Sequence, residues 1–168
     1  MTRLHAHLHP ETRGVRRVTH VRGFTLLELM IGVAIVGLLA AAAIPSYSEM
    51  LERQKVGQSV RDLVQIAGRL QKYYTIHFAL PESLSDIGMQ DMKDPWGANY
   101  EYLNFASKSP GVKGRIRKDH NLHPLNTDFD LYSKGADGKS VSPLTARASQ
   151  DDIIWGRDGG FVGIAKDF

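Results

Sequence analysis

From Phe24 to Ile44 the chain runs 21 residues with one formal charge, Glu28. As a helix rising about 1.5 Å per residue, this stretch spans the roughly 30 Å of a bilayer's hydrocarbon core. Basic and polar residues precede it, ending in Arg22 and Gly23, and no second apolar run of that length follows. One end of the chain is therefore expected to sit in a membrane, with the rest as a water-soluble domain on the far side. Charge sets the direction. Residues 1–23 carry five arginines (Arg3, Arg13, Arg16, Arg17 and Arg22) against Glu11, a charge of +4, while the whole chain is +3, leaving −1 for the remainder. The arginine-rich end stays cytoplasmic by the positive-inside rule. The soluble part has no basic excess, so no nucleic-acid partner is expected.

Glu28 is the residue that this picture leaves unexplained. A carboxylate five positions into an apolar span costs about 2.5 kcal/mol or more at mid-membrane. Either it stays wet near the helix start, or it pairs with a cation supplied in the membrane or in an assembled core. A cut before Phe24 would create such a cation, the new α-amino group. A different cut is also open: Ala41–Ala43 form a small-residue run after an apolar segment, as in a secretory signal peptide, and cleavage there would release a protein starting near Ile44.

The helix is expected to continue past Pro45, with a kink near residues 41–45, to about Thr75. Val60, Leu63, Ala67, Leu70 and Tyr74 recur at 3-4-3-4 spacing and form one apolar stripe, with Arg53, Lys55, Arg61, Asp62, Arg69 and Lys72 off it. Residues 76–95 read as a connection, with Leu84 and Ile87 tucked under a turn at Leu80-Pro81 and with Glu82, Asp86, Asp91 and Asp94 solvated. Asp94-Pro95-Trp96-Gly97 reads as a turn leading into a strand on which Tyr100 and Tyr102 alternate. Residues 103–127 read as a polar surface loop or loose hairpin with a basic patch of Lys113, Arg115, Arg117 and Lys118. Phe129–Ser133 alternates as a strand, Lys134–Gly138 turns, Asp151–Trp155 follows the next loop, and Phe161–Ile164 is either a last short strand or a docked tail. The fold class is α+β: a long N-terminal helix, membrane-spanning in its first half and amphipathic in its second, packed on a small antiparallel β-sheet with long C-terminal loops.

The chain has no cysteine, so an exported domain would be stabilised by its core, a metal or assembly. No P-loop, dinucleotide-binding glycines or G-x-S-x-G is present, and His77, His120 and His123 lie in no pattern of nucleophile or metal ligand. The chain is not expected to be an enzyme. His5, His7 and His9 alternate, but in a segment with no fold to hold a metal.

Gly23-Phe24-Thr25-Leu26-Leu27-Glu28, with its basic flank and apolar run, resembles the processing site of type IV prepilins and type II secretion pseudopilins. The resemblance implies that a prepilin peptidase cuts between Gly23 and Phe24 and methylates Phe24, and that Glu28 matches the charge of a neighbouring subunit's N-terminus during filament assembly. The division it implies is a cleaved leader 1–23, a transmembrane and assembly helix 24–45, an amphipathic continuation 46–75 and a periplasmic head 76–168. The segment Asp94-Pro95-Trp96-Gly97 followed by Tyr100-Glu101-Tyr102 is similar to the first strand of the major, G-type pseudopilin, and the major pseudopilins share the lack of cysteine. The resemblance therefore implies a single-pass protein of the bacterial inner membrane, assembling with copies of itself, minor pseudopilins and the inner-membrane secretion platform in contact with lipid. A type IV pilin, or a membrane-tethered binding domain that forms no filament, are the other readings.

On spacing alone, Asp137, Asp151 and Asp152 are either solvated turn carboxylates, the preferred reading, or two or three oxygen ligands for calcium, and no EF-hand order is present. The resemblance adds an expectation. Asp130-Leu131-Tyr132-Ser133-Lys134-Gly135-Ala136-Asp137-Gly138, then a loop, then Asp151-Asp152-Ile153, is similar to the calcium loop of G-type pseudopilins. It implies calcium held by Asp137 and Asp152, the backbone carbonyl of Lys134, and Asp151 as a further ligand. The loop from Gly138 to Asp151 and the 103–127 segment are both longer than their counterparts in many relatives.

Overall fold

The computed structural model describes residues 23–120 and 122–168. The expected leader, with His5, His7 and His9, lies outside the described residues apart from Gly23. The chain divides into two compact units, Met1–Ala43 and Ile44–Phe168. Helix α1 is assigned over Leu26–His77. Among the described residues it is the one helix long and apolar enough to cross a membrane, with a window of mean hydropathy 2.4 and none of that window buried.

In the second unit α1 runs two residues beyond the expected end. Phe78 stops it by adopting a positive φ of 52°, and its N–H still closes the last turn on the Tyr74 carbonyl at 2.7 Å. Strands β1 (Glu101–Asn104), β2 (Phe129–Ser133), β3 (Ile153–Gly156) and β4 (Phe161–Ile164) form one antiparallel sheet in sequence order. Its register pairs Tyr102 with Leu131, Leu131 with Trp155, and Trp155 with Val162. A short helical turn α2 (Val112–Arg115) lies within the long segment between β1 and β2.

Period-2 alternation gives the sheet two apolar faces. On one, Leu131 and Ile153 join Leu63, Ile66, Ala67 and Leu70 of α1, with Phe129, Trp155, Val162 and Ile164 at the margin. On the other, Ile154 meets Leu125, Leu144 and Ala165, flanked by Tyr132, Phe161 and Phe168. The helix thus covers one face, and the long loops with the C-terminal turn cover the other.

Three sequence expectations need correction. The buried face of α1 runs through Ser59, Asp62, Leu63, Ile66, Ala67 and Leu70, whereas Tyr74 is half exposed. Asp62 lies inside because its carboxylate accepts hydrogen bonds from the Tyr100 hydroxyl at 2.8 Å and from Gln58 Nε2 at 2.7 Å. Burial, ahead of that nearby carboxylate, raises the Tyr100 hydroxyl pKa well above the usual phenol range. Residues 103–127 are not a loose surface loop. Val112, Arg117, Leu125 and Asn126 are all buried.

Asp94, expected in water, is 4 % exposed. Its Oδ1 accepts from the N–H groups of Trp96 (3.1 Å) and Ala98 (2.8 Å), and its Oδ2 from Ser133 Oγ (2.5 Å). The Asp94 turn is thereby tied to the end of β2, and Trp96 donates through Nε1 to Glu52 of α1 at 3.1 Å. Asp94→Ala would leave several buried donors unpaired, so a loss of about 3 kcal/mol in urea unfolding is expected. Exposed Asp91→Ala should stay within about 0.5 kcal/mol of the parent. Equal midpoints for the two variants would refute this account of the turn.

Candidate functional site

The first site lies at the start of α1. Residues 23–25 are non-helical, so the Gly23–Phe24 peptide bond precedes the first helical turn, and Phe24 is 89 % exposed. Thr25 is the N-cap. The Glu28 N–H donates to Thr25 Oγ1 at 3.1 Å, while Glu28 Oε2 accepts from the Thr25 N–H at 2.9 Å and from its hydroxyl at 3.0 Å. This reciprocal pattern is a capping box. It gives Glu28 a role within one chain that the sequence reading did not contain: the carboxylate satisfies free donors at the positive end of the helix dipole.

The expected calcium ligands are placed differently. Asp152 is fully buried, and its Oδ2 accepts from Arg117 Nη2 at 2.5 Å and from Ser140 Oγ at 2.6 Å. Burial raises its pKa to about 6, with Arg117 and Ser140 pulling the other way. The hydrogen bonds donated by the Arg117 guanidinium and the Ser140 hydroxyl favour its charged form. Asp151 Oδ2 accepts the Asp137 N–H at 2.9 Å, and Asp137 Oδ1 accepts the Lys139 N–H at 2.7 Å. The Lys134 side chain pairs with Glu101.

Calcium takes six to eight oxygens around one point. Among the described residues no group of three or more His, Asp or Glu side chains is placed to hold a metal ion. The cationic partner of Asp152 is a guanidinium, and the carboxylate of Asp137 is turned onto its own loop. As placed, the named residues do not fit calcium.

Arg117 and Ser140 are the residues that the sequence reading missed at this place. They lie 35 and 12 positions from Asp152 in the chain. No local spacing marks them, and Arg117 is hidden in a run of otherwise exposed Lys and Arg.

Comparison with known proteins bears chiefly on the first site. The prokaryotic N-terminal methylation motif matches residues 19–44. The type II secretion system core protein G of Pseudomonas aeruginosa is 33% identical, over 70% of this chain and 84% of its own length. The type IV major fimbrial protein FimA of Dichelobacter nodosus is 36% identical, over 73% and 74%. The type IV major pilin protein PilE1 of Neisseria gonorrhoeae is 29% identical, over 80% and 73%. No solved structure matched the chain.

Proposed function

The chain belongs to the type IV pilin-like family of filament subunits, and on that premise we propose that it is the major subunit of a type II secretion pseudopilus. Prepilin peptidase would cut the exposed Gly23–Phe24 bond and methylate Phe24. The processed subunit would wait in the inner membrane through 24–45, its head in the periplasm, and then stack with copies of itself on the secretion platform. Minor pseudopilins would join the same helix-to-helix packing. Growth of the filament would help drive folded proteins outward. The chain's part is mechanical, and the enzyme in this scheme is the peptidase.

The observation that carries the secretion reading over a pilus is a cysteine-free head. Its sheet is entered through the Asp94-Pro95-Trp96-Gly97 turn, the stretch similar to G-type pseudopilins. Relatives that are pilins are similar over a comparable share of the chain, so the pilus is the second reading.

Two measurements test the proposal. Mass spectrometry of the native protein should find N-methyl-phenylalanine at Phe24 as the first residue. An intact N-terminus, or one near Ile44, would refute filament processing. Deletion in the native host should block protein secretion and leave surface fibres in place. Loss of fibres with secretion intact would give the pilus reading instead.

A further inference from the structure

Two long segments of the head, 103–127 and 138–151, are bonded to each other. The Lys118 N–H donates to the Ser142 carbonyl at 3.1 Å, and the Leu144 N–H to the Lys118 carbonyl at 2.9 Å. Ser142 Oγ donates to the Ile116 carbonyl at 2.6 Å. Leu125 of the first segment and Leu144 of the second share one apolar cluster with Ile154. Between these bonds lies Arg117, 2 % exposed. Its backbone N–H donates to Asp130 Oδ2 at 2.7 Å. Its guanidinium donates from Nη1 to Ser140 Oγ and from Nη2 to Asp152 Oδ2, and its Cζ lies 4.1 Å over the Tyr132 ring. One side chain from the first segment thus contacts the second segment, β2, and the residue leading into β3.

We propose that Arg117 is a built-in cation that takes the structural place of calcium in this head, so that the head folds and holds its C-terminal loop without a metal. Two observations support this. A buried carboxylate needs a counter-charge, and Asp152 has one in a covalently attached guanidinium. The guanidinium performs the joining expected of a metal, because it bridges the loop at Ser140 to the residue before β3. The place left open at this carboxylate is its Oδ1, which is buried without a hydrogen-bond partner, as is Arg117 Nε. A divalent ion at that oxygen would sit beside the guanidinium that already holds the other oxygen of the same carboxylate. Like-charge repulsion at such distances opposes binding. Calcium is expected here only from the family resemblance, whereas the ion pair stands on this chain's own geometry.

The test uses the full chain in detergent micelles, melted with millimolar calcium and with a chelator. The expected result is the same midpoint in both. An upward shift with calcium, the mark of a ligand that binds the folded state, overturns the proposal. Arg117→Met should lower the midpoint by several degrees, because it strands a buried carboxylate. Arg117→Met with Asp152→Asn should recover most of that loss, because the carboxylate that the guanidinium paired with is then neutral as well. A single variant as stable as the parent, or a double variant no better than the single, also overturns it. Should Arg117→Met fail to accumulate, Arg117→Lys keeps the charge and should melt below the parent, again without response to calcium. A calcium response in Arg117→Lys counts against the proposal. Melting is read on the isolated chain, so a failure here is distinct from a failure of the secretion reading, which is scored in the host.

Discussion

Glu28→Ala is expected to leave cleavage at Gly23–Phe24 intact and to abolish filament assembly. Glu28 is the one formal charge between Phe24 and Ile44. Once the chain is cut, the positive α-amino group of Phe24 sits at the positive end of α1, where the helix dipole already disfavours a cation. In the subunit alone, Glu28 offsets part of this through the Thr25 capping box. In a filament core, water is largely excluded and the carboxylate would face a neighbour's amino group. At about 4 Å and an effective dielectric constant near 20, one such pair contributes about 4 kcal/mol. Losing it at each added subunit weakens addition by about a thousandfold. Processing should survive, because the scissile bond precedes the first helical turn. The measurement is a blot for the processed size, paired with electron microscopy of sheared or cross-linked filaments. Thr25→Ala separates the two roles of Glu28: it removes the cap at a cost of about 1 kcal/mol but keeps the carboxylate, so assembly should be reduced and still visible. Normal filaments from Glu28→Ala would dismiss the assembly role. Equal defects in both variants would mean that the cap, and not the pair between subunits, is what assembly needs.

Gly135→Ala is expected to cost the head about 3–5 kcal/mol, enough to prevent accumulation of folded protein. Gly135 follows β2 with φ of +63°. A Cβ there would lie 2.1 Å from the Asp151 carbonyl oxygen, 2.7 Å from its carbonyl carbon and 2.8 Å from its Oδ2. The first two are backbone atoms, so no side-chain rotation relieves the clash. Moving Asp151 would also disturb Asp152 and with it the Arg117 pair. Gly138→Ala is the control. Gly138 has nearly the same φ, +66°, but a Cβ there would meet nothing within 4 Å. It should lose only the left-handed penalty of about 1–2 kcal/mol. Urea unfolding of both variants reads the difference. Equal losses would mean that the conformation alone, and not the close approach of the 134–138 turn to Asp151, determines the outcome.

Some of these features are legible in the chain because they are local. The apolar run, the Gly23–Glu28 motif, the alternation in Phe129–Ser133, and the turn at Asp94-Pro95 all depend on residues a few positions apart. Periodicity also gave most of the buried face of α1, since Leu63, Ala67 and Leu70 are where the stripe puts them. It misplaced Tyr74 and Asp62. Tyr74, near the end of α1, is left half exposed, and Asp62 is drawn inward by a hydroxyl 38 residues away. Asp94 failed for the same reason, since its carboxylate is matched by Ser133 from 39 residues on.

What the sequence determined by itself is therefore the membrane-length helix, its N-terminal methylation motif, the one charge within the span and the α+β class, because helix length, motif spacing and side-chain period are set by neighbours in the chain. The tertiary structure alone decided which carboxylates are buried and by what they are neutralised. It set Arg117 against Asp152 and Ser140, and it packed two long loops into a second core layer over Ile154. Burial of a charge depends on a partner brought from far along the chain, and no local pattern of residues carries that information.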